Sequence, residues 1–127
     1  MAIGKFEIKE AKDGGVMFNL KASNGKVILT SEVYASVDSC MNGIESVMKN
    51  AATAAVEDQP SFGFTEEACP KFEIFIDTAG DTRFRLKATN GQIIGASEGY
   101  KSTKSCLNGI KSVIKNAAEA PITEVDD

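Results

Sequence analysis

Hydrophobic and polar residues alternate along the first part of the chain. Phe6 and Ile8 alternate with Glu7 and Lys9, and in 16–22 every second residue is Val16, Phe18, Leu20 or Ala22, with Met17, Asn19 and Lys21 between them. A period of two is typical of a strand that buries one face. Asp-Gly-Gly at 13–15 and Ser-Asn-Gly at 23–25 separate the apolar runs and have the composition of turns. The pattern therefore predicts three strands joined by hairpins.

The spacing changes to that of a helix after Ser36. Apolar residues now recur at intervals of three and four: Val37, Cys40, Met41, Ile44, Val47, Met48 and Ala51. This spacing places them on one stripe of an amphipathic helix. The Ser36 hydroxyl can accept a hydrogen bond from the first free amides, so Ser36 is the predicted N-cap, and Ser102 is its counterpart later in the chain.

The unit of three strands and one helix occurs twice. At a constant offset of 66 residues, more than half of the positions in 5–52 are identical in the second copy. Self-similarity at a fixed offset indicates a repeat architecture. We assign the chain to a single domain, 1–127, made of repeat 1 at 4–56, a linker at 57–69 and repeat 2 at 70–125.

A single repeat would be poorly stable, because about 50 residues bury little apolar surface. Its three-stranded sheet would also leave open edges. We therefore expect the two repeats to pair about a pseudo-twofold axis in an α+β fold. The predicted architecture is one antiparallel sheet of six to eight strands with both helices on one face. A short extra strand is expected after each helix, near Val56 and near Ile122–Val125.

The sequence also suggests a register for the second hairpin. A three-residue loop with Gly25 in the left-handed conformation would pair Leu20 with Ile28. Ile28 is retained in repeat 2, whereas its neighbour Leu29 is replaced by Gly95. A position that accepts leucine or glycine is typical of a surface, so we predict that Ile28, and not Leu29, faces the core.

Composition excludes several functional classes. The chain of 127 residues has a net charge of −4 and a pI near 4.9, which disfavours general binding to nucleic acid or anionic membranes. It contains no histidine, so imidazole catalysis and ligation are impossible. No membrane-spanning stretch, signal-peptide pattern, metal site or cofactor loop is recognisable. Three widely spaced cysteines do not form a disulfide framework, so a cytoplasmic location is expected.

The repeated cysteine and glycine inside each helix have two interpretations. Cys40 and Cys106 lie in the apolar stripe and are expected to be small buried hydrophobes; a redox pair is the alternative. Cys69, in the linker, is the thiol expected to be most exposed. Gly43 and Gly109 are expected where the helix backbone approaches the sheet or the other helix, although contact with a ligand would also explain them.

Two sets of residues are candidates for binding. The repeated Ser-Glu-x-Tyr sequence, which links the third strand to the helix, is either a packing element or a polar binding rim: Ser31, Glu32 and Tyr34, then Ser97, Glu98 and Tyr100. The outward face of the strands of repeat 2 carries Phe75, Arg83 and Arg85. An aromatic ring among arginines is either a solvated face or a surface that stacks a base or holds an acidic peptide.

The combination N-G-x-x-I-x-x-S-E-x-Y and N-G-I-x-S-V-x-x-N, present twice, resembles the YegP-like family of small bacterial proteins. In repeat 1 it comprises Asn24, Gly25, Ile28, Ser31, Glu32, Tyr34, Gly43, Ile44, Ser46, Val47 and Asn50. The resemblance implies a duplicated β-β-β-α unit, with an extra strand in some members, and it implies no activity or catalytic residues. Relatives often have alanine in place of Cys40 and Cys106, which favours the packing interpretation.

Together these features favour a cytoplasmic, non-catalytic binding or protein-interaction module that uses no cofactor or metal. We expect a monomer that contains an internal pseudo-dimer, with a protein as the favoured partner. One alternative is weak binding of single-stranded nucleic acid by the Phe75, Arg83 and Arg85 face. The other is a small ligand at the Ser-Glu-x-Tyr rims.

Overall fold

The computed structural model describes residues 4–124 and contains eight strands and two long helices in that range. The strands are β1 Lys5–Glu10, β2 Val16–Lys21, β3 Val27–Ser31, β4 Ala55–Asp58, β5 Lys71–Ile76, β6 Thr82–Lys87, β7 Ile93–Ala96 and β8 Ile122–Glu124. The helices are α1 Val37–Ala51 and α2 Thr103–Ala117, and a 3-10 turn spans Lys12–Gly14. The α+β class and the extra strand after each helix are confirmed; Val125, included in the last predicted strand, lies outside the described residues.

The strands form one sheet in the order β4-β5-β6-β7-β3-β2-β1-β8. The prediction of a fully antiparallel sheet is wrong, because β4 pairs in parallel with β5 and β8 pairs in parallel with β1. Each extra strand therefore extends the sheet beside the first strand of the opposite repeat. The β4–β5 connection, residues 59–70, is long enough to return the chain to the start of β4, as a parallel pair requires.

The two repeats meet at the centre of the sheet. Strands β3 and β7 are antiparallel, and Thr30 pairs with Ala96, the residue at its own position in the other repeat. The pseudo-twofold axis thus passes through this pair. Both helices pack on one face of the sheet and contact each other. No helix within residues 4–124 is long and apolar enough to cross a membrane.

The core lies between this sheet face and the helices. Each repeat contributes an edge-to-face phenylalanine pair with ring centroids 5.7 Å apart, Phe6 with Phe18 and Phe72 with Phe84. All four rings are fully buried. Burying four such rings together with the apolar helix stripes stabilises both repeats around one common core.

The β2–β3 hairpin confirms one part of the predicted register and contradicts another. Gly25 adopts φ +84° in a three-residue loop, closed by a hydrogen bond from the Ala22 amide to the Lys26 carbonyl. Beyond the loop, however, a β-bulge shifts the pairing, so Leu20 lies opposite Leu29 and not Ile28. The bulge places both Ile28 and Leu29 in the core, where they are 5% and 0% exposed.

Replacement of Leu29 by glycine in repeat 2 has a packing cause. A Cβ atom added to Gly95 would lie 3.1 Å from Leu29 Cγ and 2.8 Å from the Thr30 carbonyl oxygen. Because these positions meet beside the pseudo-twofold axis, one leucine fills the space that two could not share. The change therefore reflects core packing, and the inference that Leu29 faces the surface is wrong.

Candidate functional site

The two serines of the Ser-Glu-x-Tyr sequences are structural in both repeats. Ser31 Oγ accepts a hydrogen bond from the Phe18 amide at 2.9 Å and donates to the Glu32 carbonyl at 2.7 Å. Ser97 makes the same two contacts, with the Phe84 amide at 3.0 Å and the Glu98 carbonyl at 2.8 Å. Both serines are buried, so they satisfy strand amides where β3 and β7 turn away from the sheet.

The two tyrosines connect the sheet to the helices. Tyr34 exchanges backbone hydrogen bonds with Val16 and stacks on Phe18, with centroids 6.4 Å apart and planes 11° apart. Tyr100 stacks on Phe84 in the same way, at 6.3 Å and 14°. Burial raises the pKa of both phenols, so each hydroxyl stays protonated at neutral pH and can donate a hydrogen bond.

The helix glycines accommodate these tyrosines. A Cβ atom added to Gly43 would overlap the Tyr34 hydroxyl and lie 2.6 Å from its Cζ, and Gly109 has the same relation to Tyr100. The close approach expected of the helix backbone is therefore made by a tyrosine side chain, and not by the backbone of the sheet or of the other helix. Alanine at either position would push the ring out of its stack.

The helix cysteines are part of the core, as predicted. Cys40 and Cys106 are fully buried, whereas Cys69 is partly exposed. Burial raises the pKa of the Cys40 thiol, and burial together with the Asp58 carboxylate raises that of Cys106 to about 11. A thiol with a raised pKa is a poor nucleophile at neutral pH.

A groove lies between α1 of repeat 1 and the β6–β7 hairpin of repeat 2. Its volume is about 510 Å³, and we call it the first groove. Its lining is Glu32, Tyr34, Ser39, Asn42, Gly43, Ser46, Ala88, Asn90, Gln92, Ile93 and Ile94. A smaller cleft of about 370 Å³ extends it along α1 toward Glu45 and Lys49. The volume lies within the range of typical ligand sites.

Several polar groups in the first groove have no partner within residues 4–124. The Tyr34 hydroxyl and the side-chain amides of Asn42 and Gln92 make no hydrogen bond in that range. The groove lining contains one carboxylate, Glu32, and neither lysine nor arginine. The arrangement thus offers neutral donors and acceptors beside a negative charge, and it favours a neutral or cationic ligand over a phosphate.

Sequence reasoning found three residues of the first groove as candidates for ligand contact: Glu32 and Tyr34 of the predicted rim, and Gly43 of the helix. Asn42, Ser46 and Asn90 were not proposed to bind. A signal was available, because all three are polar, lie outside the apolar stripe and are identical in the other repeat, as Asn108, Ser112 and Asn24. The tertiary contact that brings α1 beside the hairpin of the other repeat had no such signal.

The proposed stacking face of repeat 2 is engaged within the protein. Phe75, Arg83 and Arg85 share one face of the sheet, as predicted, but the Arg85 guanidinium lies 4.7 Å above the Phe75 ring. Arg85 Nε also donates to Glu73 at 2.7 Å, and Arg83 pairs with Asp77 and donates to the Ser97 carbonyl. These contacts neutralise the arginines and cover one side of the ring.

A buried ionic cluster lies on this face beneath the β4–β5 connection, residues 59–70. Lys71 Nζ is 2.9 Å from Glu57 and 3.0 Å from Glu73, and all three residues are at most 5% exposed. The linker is fixed to the cluster by the Glu67 amide, which donates to Glu57 at 2.7 Å. Burial alone would raise the pKa of Glu73, but hydrogen bonds from Arg85, Lys71 and Lys87 lower it to about 2. The cluster is therefore fully ionised at neutral pH.

No arrangement within residues 4–124 resembles a metal centre, since no group of three histidine, cysteine or carboxylate side chains converges there. The surroundings of both helix cysteines raise the pKa of the thiol and so disfavour the thiolate. What the described residues bring together is a set of hydrogen-bonding groups in a groove, and this arrangement is suited to binding.

The fold and groove define a class of small α+β proteins in which two β-β-β-α-β repeats share one sheet. A family model described as a domain of unknown function, DUF1508, matches residues 11–58 and 77–124. The chain is 42% identical to the UPF0339 protein YegP of Yersinia pestis over 98% of both chains. It is 45% identical to a UPF0339 protein of Mannheimia succiniciproducens, over 98% of this chain and 97% of that one.

Solved structures agree with this assignment. The solution NMR structure of YegP from E. coli, described as a protein of unknown function, has a TM-score of 0.78 and 35% identity, covering 98% of this chain and 94% of its own. A UPF0339 protein from Shewanella oneidensis has a TM-score of 0.76 and 36% identity, covering 98% and 92%. The chain belongs to the UPF0339 family of YegP-like proteins.

Proposed function

We propose that this protein is a non-catalytic binding module whose first groove holds an extended segment of a protein partner. The observation that carries the proposal is the convergence in one groove of polar side chains that are identical in both repeats. Asn42 and Ser46 of α1 approach Asn90 of the opposite repeat there. Ser46 Oγ accepts a hydrogen bond from Asn50, and Asn90 Oδ1 accepts one from the Gln92 amide in the hairpin turn. The exposed Asn42 amide makes no side-chain hydrogen bond within residues 4–124. Exposed polar side chains that the fold does not need are candidates for recognition.

The groups in the groove match a polypeptide main chain. A side-chain amide carries both a donor and an acceptor, so Asn42 and Gln92 can each bind one peptide unit through two hydrogen bonds. Ile93, 36% exposed, adds an apolar contact, and Glu32 at the rim favours a basic side chain in the ligand. An extended basic segment meets all three requirements.

The test is an NMR titration of the full chain with an octapeptide of alternating lysine and serine. Backbone amide signals of Asn42, Ser46 and Asn90 should move. The double variant Asn42→Ala/Gln92→Ala should bind at least about thirtyfold more weakly, since each residue loses one or more hydrogen bonds that contribute about 1 kcal/mol each. Thr53→Ala/Thr65→Ala is the control, because it removes two exposed hydroxyls away from the groove and should bind as the wild type does.

The proposal would be refuted if the peptide moved only the signals of carboxylate residues scattered over the surface. It would also be refuted if Asn42→Ala/Gln92→Ala bound the peptide as tightly as the wild type does. A pull-down from native lysate with the same three proteins then identifies the partner. A genuine partner is retained by the wild type and the control and is lost from Asn42→Ala/Gln92→Ala. A small molecule that raises the melting temperature and moves the same signals would instead assign the groove to a small ligand.

A further inference from the structure

The pseudo-twofold axis places the same polar residues of repeat 2 beside the other hairpin. Helix α2 packs against β2 and β3 of repeat 1, as α1 packs against β7 of repeat 2. We call the region between α2 and the β2–β3 hairpin the second groove. By the pseudo-twofold relation, the counterparts of the residues that line the first groove are Glu98, Tyr100, Ser105, Asn108, Gly109 and Ser112, together with Asn24 of the hairpin. Each is identical to its counterpart in or beside the first groove.

The tyrosine contacts beside the two grooves are the same. Tyr100 bridges to Thr82 and stacks over Gly109, as Tyr34 does with Val16 and Gly43. Asn108 is exposed on α2 at the position that Asn42 has on α1. Asn108 can therefore bind one peptide unit of a main chain as Asn42 does, whereas Gln92 of the first groove is replaced by Lys26 in the second.

The two grooves differ in charge. Four positions beside the shared polar residues carry different charges in the two grooves. In the first groove they hold Ala35, Asp38, Glu45 and Gln92. The equivalent positions of the second groove are all lysine: Lys101, Lys104, Lys111 and Lys26. All four lysines are exposed. Helix α2 contains no acidic residue, and Glu98 is the one carboxylate among the residues named for this groove, so the lysines outnumber it. The second groove is therefore cationic, although the whole chain has a net charge of −4.

We propose that the second groove binds an extended acidic polypeptide segment while the first groove binds a basic one. This inference rests on the proposed function, since it assumes that the shared polar residues bind a main chain. The duplicated module then brings together two segments of opposite charge. Charge complementarity at the groove rims selects which segment enters which groove.

The test compares two octapeptides with the same backbone pattern, one of alternating lysine and serine and one of alternating glutamate and serine. In the wild type, the lysine peptide should move amide signals of Asn42 and Ser46, and the glutamate peptide those of Asn108 and Ser112. The variant Glu45→Lys/Lys111→Glu exchanges a matched pair of exposed residues and keeps the net charge. Each peptide should lose about threefold in affinity for its original groove, the effect of one exposed charge pair.

The outcomes separate this inference from the proposed function. If neither peptide moves groove signals, the proposed function fails and this inference fails with it. If the lysine peptide binds the first groove but the glutamate peptide does not bind the second, only this inference is overturned. It is also overturned if the charge exchange leaves both affinities unchanged, or if a thymidine oligonucleotide moves the α2 signals more strongly than the glutamate peptide does.

Discussion

The outward faces of the two repeats carry the same lysine–glutamate pair in different surroundings. In repeat 1, the side chain of Lys5 is 49% exposed and lies 3.2 Å from Glu7. In repeat 2, the equivalent Lys71 and Glu73 have side-chain exposures of only 7% and 4%. Identical residues thus form a surface ion pair in one repeat and the centre of a buried cluster in the other.

One position and one connection account for this difference. In β4, Glu57 points to the outward face and binds Lys71, whereas the same position in β8 is Thr123, which contacts the Phe6 carbonyl instead. The β4–β5 connection, residues 59–70, then covers Glu57 and has no equivalent over repeat 1 within residues 4–124. A surface pair contributes little to stability, but removing one member of a buried cluster leaves the others unpaired in a low-dielectric environment.

The largest difference in the free energy of unfolding is therefore expected between the equivalent variants Lys71→Met and Lys5→Met. Loss of Lys71 leaves Glu57 without its cation and should lower the free energy of unfolding by about 3–5 kcal/mol. Loss of Lys5 should cost about 0–1 kcal/mol, since that pair is exposed. Urea denaturation of both variants measures the difference, and equal costs would show that the linker does not bury the cluster in solution.

The next largest change in stability is expected at the pseudo-twofold axis, where a leucine side chain of repeat 1 faces a glycine of repeat 2. Leu29→Ala removes a fully buried side chain that nothing in repeat 2 replaces, and it should cost about 3 kcal/mol. Gly95→Ala should cost about 1–3 kcal/mol, because the new Cβ meets the Thr30 carbonyl. Denaturation midpoints test both. A neutral Gly95→Ala would mean that β3 and β7 are less closely paired than in this structure.

Lowering the pH should remove more stability through the glutamate of repeat 2, Glu73, than through the equivalent Glu7 of repeat 1. Glu73 has a folded pKa of about 2 against a usual 4.5, so its contribution is complete above pH 4.5 and is lost as the pH falls toward 2. The loss should amount to about 2–3 kcal/mol. The hydrogen bond from Lys21 also lowers the pKa of Glu7, but the side chains of its partners Lys5 and Lys21 are 49% and 29% exposed, so solvent screens these pairs.

Unfolding free energies measured from pH 6 to pH 2 test this expectation in Glu73→Gln and Glu7→Gln. Glu73→Gln should be less stable than the wild type at pH 6 and should flatten the acid slope. Glu7→Gln should leave most of the slope in place. If the two substitutions flatten it equally, burial of the cluster contributes nothing to the acid sensitivity.

The sequence was sufficient for the repeat, the helices and most strands, because these depend on local periodicity. Phe6, Phe18 and their counterparts gave the core face directly. The sequence does not predict that β4 pairs in parallel with β5 and β8 in parallel with β1, because a short strand after a helix carries no local signal for the strand beside it. The bulge at Ile28 was missed because a retained residue was assumed to face the core and its variable neighbour to face solvent.

The candidate site was only partly accessible to sequence reasoning. Tyr34 was recognised as part of a rim, yet its contact with Gly43 joins two elements whose packing angle no local pattern specifies. Asn42 could have been found by asking which exposed polar residues both repeats retain. The Phe75 and Arg85 face was predicted to be available for a ligand because the ion pair between Arg85 and Glu73, which lies on the same face, was not considered.

The smallest difference between the repeats is expected where their packing is the same. Gly43→Ala and Gly109→Ala each gain about 1 kcal/mol of helix propensity, but the added methyl group meets a tyrosine ring stacked on a buried phenylalanine. Overpacking of this kind costs about 1–3 kcal/mol, so both variants should be destabilised by up to about 2 kcal/mol and by similar amounts. Tyr34→Phe should recover part of the loss in Gly43→Ala, because it removes the hydroxyl that the methyl group overlaps. A stabilised Gly43→Ala would mean that Tyr34 is free to leave the helix, and the first groove would then lose the hydroxyl that it offers to a ligand.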